Sequence, residues 1–267
     1  MTPRTTISVP AAAPYELPAA GMCLALVIPT LNEAANIGEI LSRTCAVLDA
    51  AAIPFEIVVV DDDSRDGTGA IVSAAGRKDP RIRLKVRKGE RGLAGAILDG
   101  WRETGAGVLG VIDADGQHPP ELLPALYGAI AAGRDLAIGS RYMQGGGIGD
   151  WNTVRKLLSS AAVWATRPLQ RRGARAQDPM SGYFLVRRDC IDRIAFQRTG
   201  FKLLLEVLVR GRVRSVEEFP FAFGLRSHGD SKASMRVGWD YARLLARLYA
   251  GKFGLRHHPR VDPSFES

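Results

Sequence analysis

No stretch of this 267-residue chain approaches the roughly 18 consecutive apolar residues that a bilayer-spanning helix needs, so the sequence predicts any lipid contact at a membrane surface and not across it. Residues 1–20 lack the apolar core of a signal peptide. They are rich in Ala, Pro and Thr, carry Arg4 as their one base, and read as a loose tail. Cysteine is scarce: Cys23, Cys45 and Cys190 show no CxxC spacing and sit in apolar stretches, which argues against a disulfide framework and a zinc site and for a reducing, cytosolic setting. RGLAG at 91–95 falls short of the full GxGxxG spacing, so a dinucleotide-binding fold is unsupported. No internal repeat is present.

What is present is enough for a full core, with 46% hydrophobic and 24% charged residues. The net charge of +8 is unevenly spread. Positions 1–140 hold 13 Lys/Arg against 17 Asp/Glu, and 141–267 hold 23 against 11, so the halves carry −4 and +12. An acidic half suits a metal site, and a basic half suits phosphates, acidic lipid head groups or nucleic acid. A merely solvated basic surface accounts for the same imbalance equally well.

Strand-like segments occur at 23–29, 55–60, 81–87, 108–112, 135–139 and 183–188 (YFLVRR). Between the first two, Ile37, Ile40, Leu41, Val47 and Leu48 recur at helical spacing, and Pro119 and Pro120 stand where the first turn of a further helix tolerates proline. Helices are also predicted at about 151–166, at 201–210 and at 237–253, the last with an apolar stripe of Val237, Tyr241, Leu244, Leu245 and Leu248 flanked by bases. The predicted class is α/β with a mostly parallel central sheet flanked by helices. In such sheets ligands bind beyond the carboxyl ends of the strands. PTLNE, DDDSRDGT and DADGQHP follow the first, second and fourth strands, so three polar clusters converge on one crevice.

Asp113 and Asp115 lie two residues apart at the end of a strand and can share one divalent cation, with Gln117 as a neutral oxygen ligand. Hard oxygen donors favour Mg2+ or Mn2+, and such an ion can neutralise a departing diphosphate. A DxD alone is a weak signal, because turns are rich in Asp. DDDSRDGT is not a calcium loop, since Arg65 stands at its fifth place and Val72 at its twelfth. Asp61 or Asp62 reads instead as an acceptor for a nucleoside base or ribose, and Asp66-Gly67-Thr68 as the start of a helix. Glu206 reads equally as a catalytic-centre carboxylate or as the partner of a nearby arginine. His118 reads as shaping the metal loop, with a functional role as the alternative, and His228, His257 and His258 read as surface residues.

PTLNE (29–33), DDDSRDGT (61–68), RGLAGAILDG (91–100), DADGQHP (113–119), GSRYMQGG (139–146), QDPMSGYFLVRR (177–188) and RSHGDSK (226–232) together resemble family 2 glycosyltransferases of the polyprenyl-phosphate (dolichyl-phosphate) mannose synthase type. The resemblance runs from about residue 24 to 250. It implies a GT-A fold, inversion at the sugar, and transfer from a nucleotide-sugar donor, with GDP-mannose favoured, to a polyprenyl phosphate. It further implies that Pro29, Leu31, Asn32, Glu33, Asp61, Asp63, Asp113 and Asp115 contact the nucleotide sugar and that Asp113, Asp115 and Gln117 form the metal shell. By the same resemblance Asp115, Arg141 and Arg226 act at the catalytic centre, and Arg141, Arg155, Ser159, Arg226 and Lys232 clamp phosphate. Leu31 stands where many relatives have Tyr, and Asp63 and Arg65 replace a commoner Gly and Pro, so GDP and UDP both stay open as the donor nucleotide.

The chemistry agrees with that resemblance. A phosphate monoester is ionised near neutral pH and attacks an anomeric carbon without a dedicated base. The enzyme must hold two anions together, and at about 4 Å unit charges repel by about 4 kcal/mol at an effective dielectric of about 20. A divalent ion and guanidinium forks answer that demand. The expected layout is a tail at 1–20, a catalytic domain at 21–235 and a C-terminal amphipathic helix and tail at 236–267. The expected setting is peripheral, on the cytoplasmic face of a membrane, with a separate transmembrane partner as one route for lipid delivery. Rival readings are a UDP-glucose or UDP-amino-sugar transferase acting on undecaprenyl phosphate, an inactive relative, and a nucleic-acid-binding protein. The last lacks a binding motif and leaves the Asp clusters unexplained.

Overall fold

The computed structural model describes residues 22–143, 162–171, 173–198, 202–221 and 235–252, with side chains in the last segment from 241 onward. Seven strands form one sheet: β1 (Leu24–Thr30), β2 (Phe55–Asp61), β3 (Ile82–Val86), β4 (Val108–Val111), β5 (Leu136–Ser140), β6 (Phe184–Arg187) and β7 (Val216–Pro220). Their order across the sheet is β3-β2-β1-β4-β6-β5-β7. β1 pairs in parallel with β2 and β4, β2 with β3, and β5 with β7, while β6 runs antiparallel between β4 and β5. The strands lie within about a residue of where the β-branched runs put them. β7 (VEEFP) was not foreseen: two consecutive glutamates hide an edge strand whose register against β5 is set by tertiary pairing.

Both faces of the sheet are covered, which is why β1 and β2 read as unbroken apolar runs. Alternate residues serve alternate faces. Ala25, Val27, Val58 and Val60 face α3 (Leu93–Arg102) and α5 (Leu203–Arg210), meeting Ile97, Trp101, Leu204 and Val207. Leu26, Ile28, Ile57 and Val59 face the other layer, formed by α1 (Ile37–Ala50), α2 (Thr68–Lys78) and α4 (Leu123–Ala131). Gly100 lets α3 approach β1 closely, since a Cβ there would stand 2.7 Å from Val27. A 3-10 turn at Pro120–Leu122 leads into α4, so the two prolines sit at the helix entry as predicted.

The last helix, α6 (Met235–Lys252), covers the predicted stretch. Its stripe lies on the domain: Leu248 is buried with Leu169 and Leu205, and Tyr241, Leu244, Leu245 and Tyr249 pack around them. Of the helix predicted at 151–166, residues 162–166 are helical and the rest lie outside the described residues. The Gly-rich stretch at 145–149, Arg155, Ser159, Arg226, Lys232, His228, His257 and His258 lie outside them as well. No helix among the described residues is long and apolar enough to cross a membrane.

Candidate active site

Parallel pairing aligns the carboxyl ends of β1 and β2, with Thr30 opposite Asp61, and brings PTLNE against DDDSRDGT. The two loops are tied by backbone and side chain. The Asp61 carboxylate accepts from the Thr30 hydroxyl at 2.8 Å, the Ser64 hydroxyl at 2.6 Å and the Ser64 amide at 2.9 Å. The Asn32 amide donates to the Ser64 hydroxyl at 2.7 Å, and the Asn32 side-chain carbonyl accepts from the Arg65 amide at 3.0 Å. Asp66 takes the Ala34 and Thr68 amides and the Thr68 hydroxyl, while the Glu33 amide donates to that hydroxyl. α2 begins at Thr68 with Gly67 as its N-cap, so Asp66-Gly67-Thr68 opens the helix as the sequence predicts. Asn32 and Asp63 both adopt left-handed backbone, with φ of 58° and 59°. Non-glycine residues hold that conformation when their surroundings over-determine it.

Asp61 is therefore buried within the platform, while Asp63 is exposed. Asp62 is taken up by the protein. Its carboxylate pairs with the buried Arg87, with the Arg87 Nε donating at 2.8 Å, and accepts the Gly92 amide at 2.8 Å. Arg87 also reaches Asp99 on α3, which Arg198 grips at 2.7 and 2.8 Å. This network, absent from the sequence reading, ties the platform to α3.

β4 ends one residue before Ile112, and the chain turns at Gly116, where φ is 77°. Asp115 is buried and accepts the Gln117 amide at 3.1 Å. His118 is buried, stacked on Tyr183 at 5.1 Å and edge-on to Phe221, and its Nδ1 accepts the Asp113 amide at 3.2 Å. Burial pushes its pKa down, and a ring that accepts at Nδ1 is neutral there, so His118 shapes the turn as predicted. Gly182 gives the loop room, since a Cβ there would stand 3.0 Å from the Asp113 carboxylate.

Burial raises the pKa of Asp113, and Asp115 raises it further. Two carboxyls two residues apart, with an amide oxygen on the same turn, form a donor set that a hard divalent cation would satisfy. Among the described residues no group of three His, Cys, Asp or Glu could hold a metal, so such a cation would need oxygens from Gln117 and from a ligand.

On the other side of the crevice, Arg141 follows β5 and is gripped two-fold by the fully buried Asp178, at 2.7 and 2.8 Å. The Gln177 and Asp178 amides donate in turn to Glu218 on β7. Asp178 and Glu218 had no role in the sequence reading, and neither did Lys202 just before α5. The Lys202 ammonium donates to the Met180 carbonyl at 3.2 Å, and burial, then Arg141, lower its pKa to about 8, with Asp178 and Asp113 acting the other way. The one available signal was that Asp178 lies within the motif at 177–188; Lys202 lies in none of the motifs. Glu206 resolves as a structural group: it accepts the Gln197 amide at 2.9 Å and lies 3.8 Å from Arg210.

Known proteins are similar to this chain in sequence and in fold. A profile described as Glycosyl transferase family 2 matches residues 25–195. The chain is 39% identical over 227 residues to a dolichol-phosphate mannosyltransferase of Pyrococcus furiosus, covering 85% of this chain and 64% of that protein, just under two thirds of its length. It is 36% identical to a dolichol-phosphate mannosyltransferase of Saccharomyces cerevisiae, covering 86% and 88%, and 37% identical to a polyprenol monophosphomannose synthase of Mycolicibacterium smegmatis, covering 78% and 80%. In fold it resembles a mannosyl-3-phosphoglycerate synthase from Rubrobacter xylanophilus, with TM-score 0.63, 21% identity and coverage of 92% and 80%. It also resembles a glucosyl-3-phosphoglycerate synthase from Mycobacterium tuberculosis in complex with Mn2+, uridine-diphosphate and phosphoglyceric acid, with TM-score 0.64, 20% identity and coverage of 89% and 80%. The fold is the expected GT-A arrangement, and the chain belongs to glycosyl transferase family 2.

Proposed function

We propose that this glycosyltransferase moves mannose, with inversion, from GDP-mannose to a polyprenyl phosphate. The observation that carries the reading is the meeting of the Asp113–Asp115 turn with Arg141, two carboxyls facing an anchored guanidinium across one crevice. The names of the relatives, dolichol-phosphate and undecaprenyl-phosphate mannosyltransferases among them, support the acceptor and the sugar.

Pro29, Leu31, Asn32, Glu33, Asp61 and Asp63 form or line the nucleotide platform, Asp63 offering its carboxylate at the surface. Asp113, Asp115 and Gln117 would hold Mg2+ or Mn2+, whose charge would offset that developing on the leaving diphosphate. Asp115 also lies near the sugar. Asp178 holds Arg141 in place, so the guanidinium meets phosphate without first being ordered, and preorganised charge is the larger part of such catalysis. Arg155, Ser159, Arg226 and Lys232 complete the clamp. The acceptor phosphate, already ionised, needs no proton removed. Residues 21–235 form the catalytic unit and 236–267 a C-terminal addition, and the enzyme works at the cytoplasmic surface of a membrane, with a transmembrane partner as a route for the lipid.

The test is transfer of label from GDP-mannose, UDP-glucose and UDP-GlcNAc to a short polyprenyl phosphate, with Mn2+ or with EDTA. The expected result is labelled lipid from GDP-mannose alone, lost in EDTA. Labelling from a UDP-sugar would replace the donor, and none from any of the three would end the reading.

A further inference from the structure

Helix α3 carries a carboxylate that packing alone does not need. Every residue from Ala94 to Trp101 is buried, Asp99 among them, and an apolar side chain at that place would escape the cost of taking a charge out of water. Asp99 is instead met by three arginines: Arg198 grips it two-fold at 2.7 and 2.8 Å, Arg87 reaches it at 3.3 Å and Arg102 at 3.4 Å. Burial works against its ionisation, but the bonds from Arg198 and then Arg87 outweigh that and hold its pKa below the usual carboxylate value.

The short segment that carries Arg198 touches both sides of the crevice. Toward the nucleotide platform, the Arg198 carbonyl lies against the first turn of α3, where a Cβ on Gly95 would stand 3.1 Å from it and 2.6 Å from the Arg87 guanidinium. Gly95 thus leaves room for both, and Arg87 continues to Asp62 beneath the platform. Toward Arg141, the adjacent Gln197 amide donates to Glu206 in the first turn of α5 at 2.9 Å. Lys202, the N-cap of that helix, donates to the Met180 carbonyl, two residues beyond the Asp178 that holds Arg141.

We propose that Arg198 is a positioning residue for sugar transfer: through Asp99 it holds the start of α5, with Lys202, in fixed relation to the nucleotide platform. The assignment rests on the reading of this crevice as the place where a nucleotide sugar meets a phosphate. A guanidinium fork on a carboxylate fixes direction as well as distance, which a single ammonium does not. Two substrates held on opposite sides react only when those sides keep their spacing, so a tie between the sides acts on the transfer step and leaves binding of either substrate alone. The other partner of Arg198, Glu90 at 2.8 Å, is exposed, and a solvated pair of that kind contributes little.

In transfer assays Arg198→Ala should lower kcat about tenfold, within the roughly 10²-fold that a misplacement of about 1 Å can cost, with KM for donor and acceptor changed less than about twofold. Arg198→Lys, which keeps the charge without the fork, should recover part of the loss, and Glu90→Gln should change kcat less than about twofold. Asp99 keeps Arg87 and Arg102 in these variants, and Gln197 keeps Glu206 and Arg247 of α6, so the melting temperature should move little. An unchanged kcat in Arg198→Ala, or a loss no greater than the fall in folded protein, overturns the assignment. So does an equal loss in Glu90→Gln, which would take the effect away from Asp99, or a rise in either KM with kcat intact, which would make Arg198 a binding residue. Amide exchange reads the tie without catalysis: the Gln197 amide should exchange about tenfold faster in Arg198→Ala, while Gly92, held by Asp62, should not change. Faster Gln197 exchange in a protein that transfers no sugar from any donor would keep the tie and remove the proposed function. Transfer in the unmodified protein, with Gln197 exchange the same in the variant, would do the reverse.

Discussion

The two sides of the crevice are built differently. On the donor side, the loops after β1 and β2 are locked by short-range zippering: Asp61, Ser64, Asn32, Asp66 and Thr68 satisfy one another, and two residues are held in left-handed backbone. On the acceptor side, Arg141 depends on Asp178, 37 residues away, and Trp164 stands in water on a segment held by α6. The proposed nucleotide platform satisfies its own polar groups within the protein, whereas the proposed acceptor side rests on groups anchored by distant segments. A donor presents the same rigid head at every turnover, but a lipid brings a long chain that needs room beside the phosphate.

That contrast can be broken from either side. Asp115→Ala should reduce transfer to background with secondary structure and melting temperature retained, because it removes a proposed metal oxygen at a turn; full activity by radiolabel assay would sink the metal assignment. Asp178→Ala should lower kcat about 10²-fold and cost about 3 kcal/mol in denaturant unfolding, since it leaves Arg141 without the carboxylate that orients it. Donor KM should change little, so a rise in donor KM equal to the fall in kcat would place Arg141 on the donor side instead.

Arg87→Met should cost about 3 kcal/mol by the same measurement, because it strips the buried Asp62 of its cation. It should raise donor KM about tenfold while sparing acceptor KM, and an effect on acceptor KM alone would reverse the comparison. The smallest effect belongs to Thr30→Val, which removes one hydroxyl from Asp61 and should cost about 1 kcal/mol. A donor KM unchanged in that variant would mean that the platform tolerates the loss of one bond in its zipper.

The donor side was legible in the sequence because its parts are close in the chain or repeated in a simple pattern. Runs such as FEIVVV and LALVIPT announce strands buried on two faces, and acidic clusters directly after them announce the crevice. Even there, Asp62 could not be told from Asp61, since only packing reveals that Arg87 lies beneath one of them. The acceptor side was far less legible. Arg141 entered through a motif, but its partner Asp178, the Glu218 that holds that partner, and the Lys202 beside both lie on separate segments. The amphipathic stripe at 237–253 was visible as a stripe, while its destination, Leu205 on α5 and Leu169, was not.

The sequence by itself determined the α/β class, the positions of β1 to β6 along the chain, the placing of three polar loops after parallel strands and the Asp113–Asp115 pair, because local periodicity and strand direction dictate them. Only the tertiary structure decided that β6 enters the sheet antiparallel between β4 and β5, that VEEFP becomes its edge strand, and that Asp178 orients Arg141. Those outcomes depend on pairings between segments tens of residues apart, and no local pattern encodes which distant partner buries a given charge.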